Sequence, residues 1–127
     1  MDASITTRHS QRAVVTTAIV DVVAVVLFVA IGRRNHDEGT AISGVLAVAA
    51  PFLIALAVSW FVMRTWVEPF ARKSWAATWV ITVVAGLLLR RFVFDRGIAT
   101  PFIIVATITL GILLGVGRLL SQRLVRN

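Results

Sequence analysis

Four apolar runs of nearly membrane thickness, separated by short arginine-bearing turns, leave this chain few ways to fold. The first, Ala13 to Ile31, is broken only by Thr16, Thr17 and Asp21. As a helix it is about 28 Å long, close to the hydrocarbon thickness of a bilayer. Arg8 and Arg12 precede it as they would a secretory signal, but the central Asp21 and three further runs favour a retained helix. The second run, Gly44 to Met63, contains Pro51, which frees a carbonyl one turn earlier and predicts a kink between Ala47 and Pro51. The third, Trp75 to Leu89, is short. It reaches full span if the helix continues to Phe94 while Arg90 and Arg91 snorkel to the headgroups. The fourth extends from Pro101 to Leu120, with Thr100 as expected N-cap and proline at the first helical position.

The intervening segments 32–43, 65–74 and 95–100 are short enough to join adjacent antiparallel helices. The expected fold is therefore an all-α membrane protein: one domain, a four-transmembrane-helix antiparallel bundle with helices at about 13–31, 44–63, 75–94 and 101–120. Residues 1–12 and 121–127 read as short tails. Composition closes the alternative of a soluble domain. Of 127 residues 58% are apolar and 15% charged, and the mean hydropathy is +0.89. Soluble domains carry about 25% charged residues, so too little polar side chain exists here to cover a globule in water.

The net charge of +7 does not read as a nucleic-acid footprint, because the cations sit between apolar runs rather than interleaved with aromatics on one exposed element. They read as topology signals and headgroup contacts. Arg8, Arg12, Arg64, Arg72, Lys73, Arg118, Arg123 and Arg126 fall on the side of the termini and central loop; Arg33, Arg34, Arg90, Arg91 and Arg96 fall on the other. Eight against five places both termini in the cytoplasm of a plasma-membrane protein. Trp60, Trp66, Trp75 and Trp79 gather about the central loop, so Trp66 and the turn Glu68-Pro69-Phe70 are expected to lie in the headgroup layer. Phe28, Phe92, Phe94 and Phe102 gather at the opposite side.

Small or weakly polar residues recur at four-residue spacing in each span, which sets them on one helix face. They are Thr17 and Asp21; Pro51, Ala55 and Ser59; Ser74, Thr78, Thr82 and Gly86; and Thr107, Gly111 and Gly115. Lipid gives helices no hydrophobic reason to associate, so close approach and interhelical hydrogen bonds must hold them. Gly86, Gly111 and Gly115 are the candidate packing positions, with Gly111-xxx-Gly115 serving either intramolecular packing or a dimer.

Asp21 carries most of the functional information. A carboxylate inside a span marks a proton relay, an ion path, an interhelical lock or a partner-helix contact. No intramembrane Lys or Arg is expected opposite it, so the candidate polar site is a neutral Asp21 carboxyl with Thr17, hydrogen-bonded to Thr78, Thr82 or Thr107. A second cluster is the turn Arg33-Arg34-Asn35-His36-Asp37-Glu38, echoed by Arg90-Arg91 and Asp95-Arg96-Gly97. The echo suggests two related hairpins, each leading to a Pro-Phe pair. Arg33, Arg34, His36, Asp37, Glu38, Arg90 and Arg91 are candidates for headgroup or partner contact. Three or four convergent ligands are needed for a metal, and these do not share a helix face; no metal or cofactor is expected. Without cysteine, a phosphate loop or a Ser-His-acid set, neither is enzyme activity.

The segment from Asp21 to Gly39, with Gly32-Arg33-Arg34 and His36-Asp37-Glu38-Gly39, together with Pro51-Phe52, Trp60, Gly86 to Arg91 and Phe102 to Thr107, resembles domain of unknown function 3054. That is a family of small bacterial and archaeal membrane proteins, frequent in actinobacteria. The resemblance runs from about Ala13 to Arg118 and implies a four-helix membrane protein with no assigned activity. Two expectations follow. One is a non-enzymatic subunit or accessory of a membrane complex, with the lipid bilayer and either a membrane-protein partner or a second copy as neighbours. The other is a small proton-coupled transporter working as a homodimer through Asp21.

Overall fold

The computed structural model describes the backbone of residues 3–35, 42–98 and 100–126, and the side chains of residues 11–32, 44–98 and 100–125. Four helices follow in order: α1 (Ala3–Asn35), α2 (Ile42–Met63), α3 (Arg72–Phe92) and α4 (Thr100–Arg126). Each contains a stretch long and apolar enough to cross a bilayer: Gln11–Gly32, Gly44–Met63, Arg72–Phe92 and Thr100–Val125. No strand occurs among the described residues. The expected four-helix class is what the chain adopts.

Three boundaries differ from expectation. Helix α3 begins at Arg72 rather than Trp75 and ends at Phe92 rather than Phe94, so it extends the short apolar run by three residues at each end. The segments read as tails are helical, α1 from Ala3 and α4 to Arg126, and Ser121 and Val125 of the second are buried. The Arg12 guanidinium also donates to the Leu124 carbonyl at 3.1 Å, tying the two ends together. Pro51 is buried within an uninterrupted α2.

Every helix backbone approaches its two neighbours in a ring, α1–α2–α3–α4, while α2 and α4 meet across the diagonal through side chains such as Phe52 and Phe102. The closest seams are α2–α3 and α1–α4. Glycines explain both. The Gly86 backbone lies against the Phe52 ring, and a Cβ there would overlap it. At the other seam a Cβ on Gly117 would stand 2.7 Å from Val20 Cγ1, so only glycine lets α4 come this close to α1. The ridges at these seams are small because dispersion, not water exclusion, is what the bilayer rewards.

The interior is graded from one end to the other. Away from the α2–α3 turn, Phe28, Phe52 and Phe102 meet with ring centroids 5.7, 6.2 and 6.3 Å apart. The Arg90 guanidinium covers the Phe102 ring at 4.3 Å, and its Nε donates to the Gly97 carbonyl at 2.8 Å. Ala49, Ala106, Leu110 and Leu114 fill buried positions between the ends. Beneath the α2–α3 turn the interior becomes ionic.

A candidate functional site: the buried Asp21–Arg118 cluster

Asp21 sits on the inward stripe of α1 that continues through Thr17, Ala24 and Phe28, all buried. Gly117 brings α4 against Val20, and the next residue on each helix completes the site. Arg118 grips Asp21 in two parallel bonds, Nε to Oδ1 at 3.0 Å and Nη2 to Oδ2 at 2.8 Å. The fork of the guanidinium matches the carboxylate, which makes this the strong form of charge-assisted bond.

The remaining donors are also engaged. Arg118 Nη2 donates to Thr78 Oγ1 at 3.0 Å, and Nη1 donates to Ser74 Oγ at 3.0 Å and to the Pro69 carbonyl at 2.6 Å. A guanidinium has five N–H groups, and all have an acceptor here. From α2 the Trp60 indole donates to Asp21 Oδ2 at 2.9 Å, and the guanidinium stands 6.0 Å from its ring centroid. One side chain thus ties together α1, α2, α3, α4 and the turn that carries Pro69. That turn is aimed by Arg64, which adopts a left-handed φ of 50° just after α2 while the Thr65 amide closes back on the Trp60 carbonyl at 3.1 Å.

Two expectations about this site are overturned. Asp21 does have an intramembrane cation opposite it, and its carboxyl is bound by Arg118 rather than by threonine hydroxyls. The charge pattern of the sequence groups Arg118 with the terminal cations, although it falls inside the fourth run and continues the four-residue stripe of Ala106, Leu110 and Leu114. That spacing was the available signal: a lone cation on an inward face implies a buried anion. Of the threonines, Thr78 joins through Arg118. Thr17 and Thr82 are fully buried with hydroxyls that find no partner, and Thr107 lies elsewhere, donating to the Ile103 carbonyl at 2.7 Å within its own helix.

The small-residue stripes of α1, α2 and α3 face inward as read: Thr17, Ala55, Ser59, Ser74, Thr78 and Thr82 are buried. In α4 the stripe receives tryptophans instead of a helix backbone. Trp75 and Trp79 stack with centroids 5.5 Å apart. A Cβ on Gly111 would meet Trp79 at 2.7 Å, and one on Gly115 would meet Trp75 at 3.1 Å. Their indoles donate to α4 carbonyls, Trp79 to Thr107 at 2.7 Å and Trp75 to Gly111 at 3.2 Å. Gly111 and Gly115 therefore serve intramolecular α3–α4 packing.

The second candidate cluster divides. His36, Asp37 and Glu38, and the side chains of Arg33 and Arg34, lie outside the described residues. Arg90 packs on Phe102, and Arg91 approaches Asp95 at 3.9 Å on the surface. Phe92 is exposed and Phe94 half-buried, so only Phe28 and Phe102 of the four phenylalanines join the aromatic cluster. Of the central-turn aromatics Trp66 is exposed and meets Phe61 edge-on at 6.0 Å, whereas Pro69 is buried. Among the described residues no three metal-ligating side chains converge.

A family model described as Protein of unknown function (DUF3054) matches residues 18–121, a stretch that contains the whole ionic cluster. The chain belongs to that family. No curated protein and no solved structure is significantly similar to it.

Proposed function

Starting from a family that assigns no activity, we propose that this chain is a non-enzymatic membrane scaffold, a subunit or accessory of a larger membrane assembly. The observation that carries the reading is the saturation of the Asp21–Arg118 cluster. All five guanidinium donors and both carboxylate oxygens are engaged by the bundle's own groups. A group that carries protons or ions must release its partners and take up others during each cycle. Here, releasing Asp21 strands a buried guanidinium, which is costly in any low-dielectric interior. The arrangement suits a bundle whose outer surface is held in one shape for a neighbour to recognise.

The proton-coupled homodimer rests on Asp21 and on the hairpin echo, and closure of that carboxylate on Arg118 and Trp60 argues against it. The test uses two arms. Mild-detergent extraction with prior in-membrane crosslinking should recover the chain with a stoichiometric membrane-protein partner; consistent isolation as a lone monomer would sink the scaffold reading. Proteoliposomes under a pH gradient should show no proton flux that Asp21→Asn abolishes.

We place both termini in the cytoplasm, in a plasma membrane. With Arg118 neutralised inside the bundle, seven cations on the side of the termini remain against five on the other. Cysteine-accessibility labelling of Gln11→Cys and Arg96→Cys in intact cells distinguishes the sides, since the chain has no native cysteine.

A further inference from the structure

On the outer face of the α3–α4 seam two depressions run into each other. A cleft of about 260 Å³ lies between the α2–α3 turn and α4, with Phe70, Arg72 and Gln122 at its mouth. A shallower furrow of about 510 Å³ continues from it toward Ile108 and Ile112. Trp75, Gly115 and Leu119 line both, so they form one groove. Gly111 and Gly115 of α4 and the stacked pair Trp75 and Trp79 of α3, whose rings lie against those glycines, all line the furrow.

We propose that this groove binds one anionic phospholipid from the leaflet on the side of the termini, its headgroup phosphate at Arg72 and one acyl chain along the furrow. Four observations carry this. The polar lining is confined to the cleft, where Arg72, Gln122 and the Asp21-paired Arg118 lie, and the furrow is lined by apolar and aromatic residues alone. The charge at the mouth is uncompensated. No carboxylate lines either depression, Asp21 is fully buried behind Arg118 and cancels its charge, and Arg72 is exposed with no ion pair among the described residues. Helix α3 also begins at Arg72, with Ala71 at its N-cap offering no side-chain acceptor to the first-turn amides. The length fits as well: from Gln122 to Ile108 is about 21 Å along α4, the depth of one leaflet with its headgroup. A second copy of the chain fits less well. A two-fold axis along the membrane normal sets identical mouths at the same depth, and Arg72 would face Arg72.

The test is native mass spectrometry of the full chain released from nanodiscs of mixed anionic phosphatidylglycerol and zwitterionic phosphatidylcholine. The expected result is one retained lipid per chain, enriched at least fivefold in phosphatidylglycerol over the bilayer composition. Arg72→Gln should erase the enrichment while leaving retention of either lipid, and Val116→Trp, placing a ring in the furrow from an exposed position, should lower retention of both. Arg123→Gln, an exposed cation outside the groove, should change neither. Unchanged enrichment in Arg72→Gln overturns the proposal. So does equal enrichment loss in Arg123→Gln, or a dimer that Val116→Trp dissociates. All three substitutions are at exposed positions, and intrinsic tryptophan emission of the Trp75–Trp79 pair reports whether Arg72→Gln and Arg123→Gln keep the fold.

Discussion

Beneath the α2–α3 turn, the helices meet through Asp21, Trp60, Thr78 and Arg118; at the other end α1, α2 and α4 meet through Phe28, Phe52 and Phe102. The first junction is directional. Each bond has one geometry, and removing one member strands charged or polar groups in a medium that cannot solvate them. The second is held by shape and ring quadrupoles, so a lost member leaves a hole but no orphaned charge. A bilayer offers both kinds of adhesion, and this bundle uses one at each end.

Breaking the ionic end from one side should have the largest effect. Arg118→Met leaves Asp21 buried without a counter-ion and should cost about 3–5 kcal/mol, read as a shift in reversible unfolding in mixed micelles. Asp21→Leu combined with Arg118→Met should recover at least half of that loss. If the double variant is as unstable as the sum of the singles, the cost does not come from stranded charge.

The aromatic end should answer differently. Phe52→Ala should cost about 2–4 kcal/mol, below the usual range for a soluble core because lipid removes part of the transfer term. Gly86→Ala, which drives a Cβ into the Phe52 ring, should cost about 1–3 kcal/mol alone and close to nothing once Phe52 is alanine. That coupling, measured by a double-mutant cycle, separates a steric seam from a general loss of packing.

Smaller effects belong to bonds that supplement groups already satisfied. Trp79→Phe removes the indole bond to the Thr107 carbonyl, which the α4 ladder still engages, and should cost about 0.5–1.5 kcal/mol. Arg91→Gln should leave the unfolding midpoint unchanged within error, since the Arg91–Asp95 pair spans 3.9 Å on the surface.

Four membrane-spanning helices, their order and the inward faces of the first three were legible in the sequence, because apolar length and four-residue spacing are properties of each helix alone. Thr17, Ser59, Ser74, Thr78 and Thr82 all lie buried where their spacing put them. Asp21 stood out as the residue a membrane must account for. Its partner did not. The pairing of Asp21 with Arg118 joins positions 97 residues apart, and it depends on how closely α4 approaches α1, which Gly117 decides against Val20. The same holds for Gly111 and Gly115: spacing marks them as a packing face, but only the neighbouring helix shows that tryptophan rings, not another backbone, fill it. Helix identity is written locally in hydropathy. Which charges meet inside the membrane is set by the depth and rotation at which the helices dock, and those follow from contacts that no single helix contains.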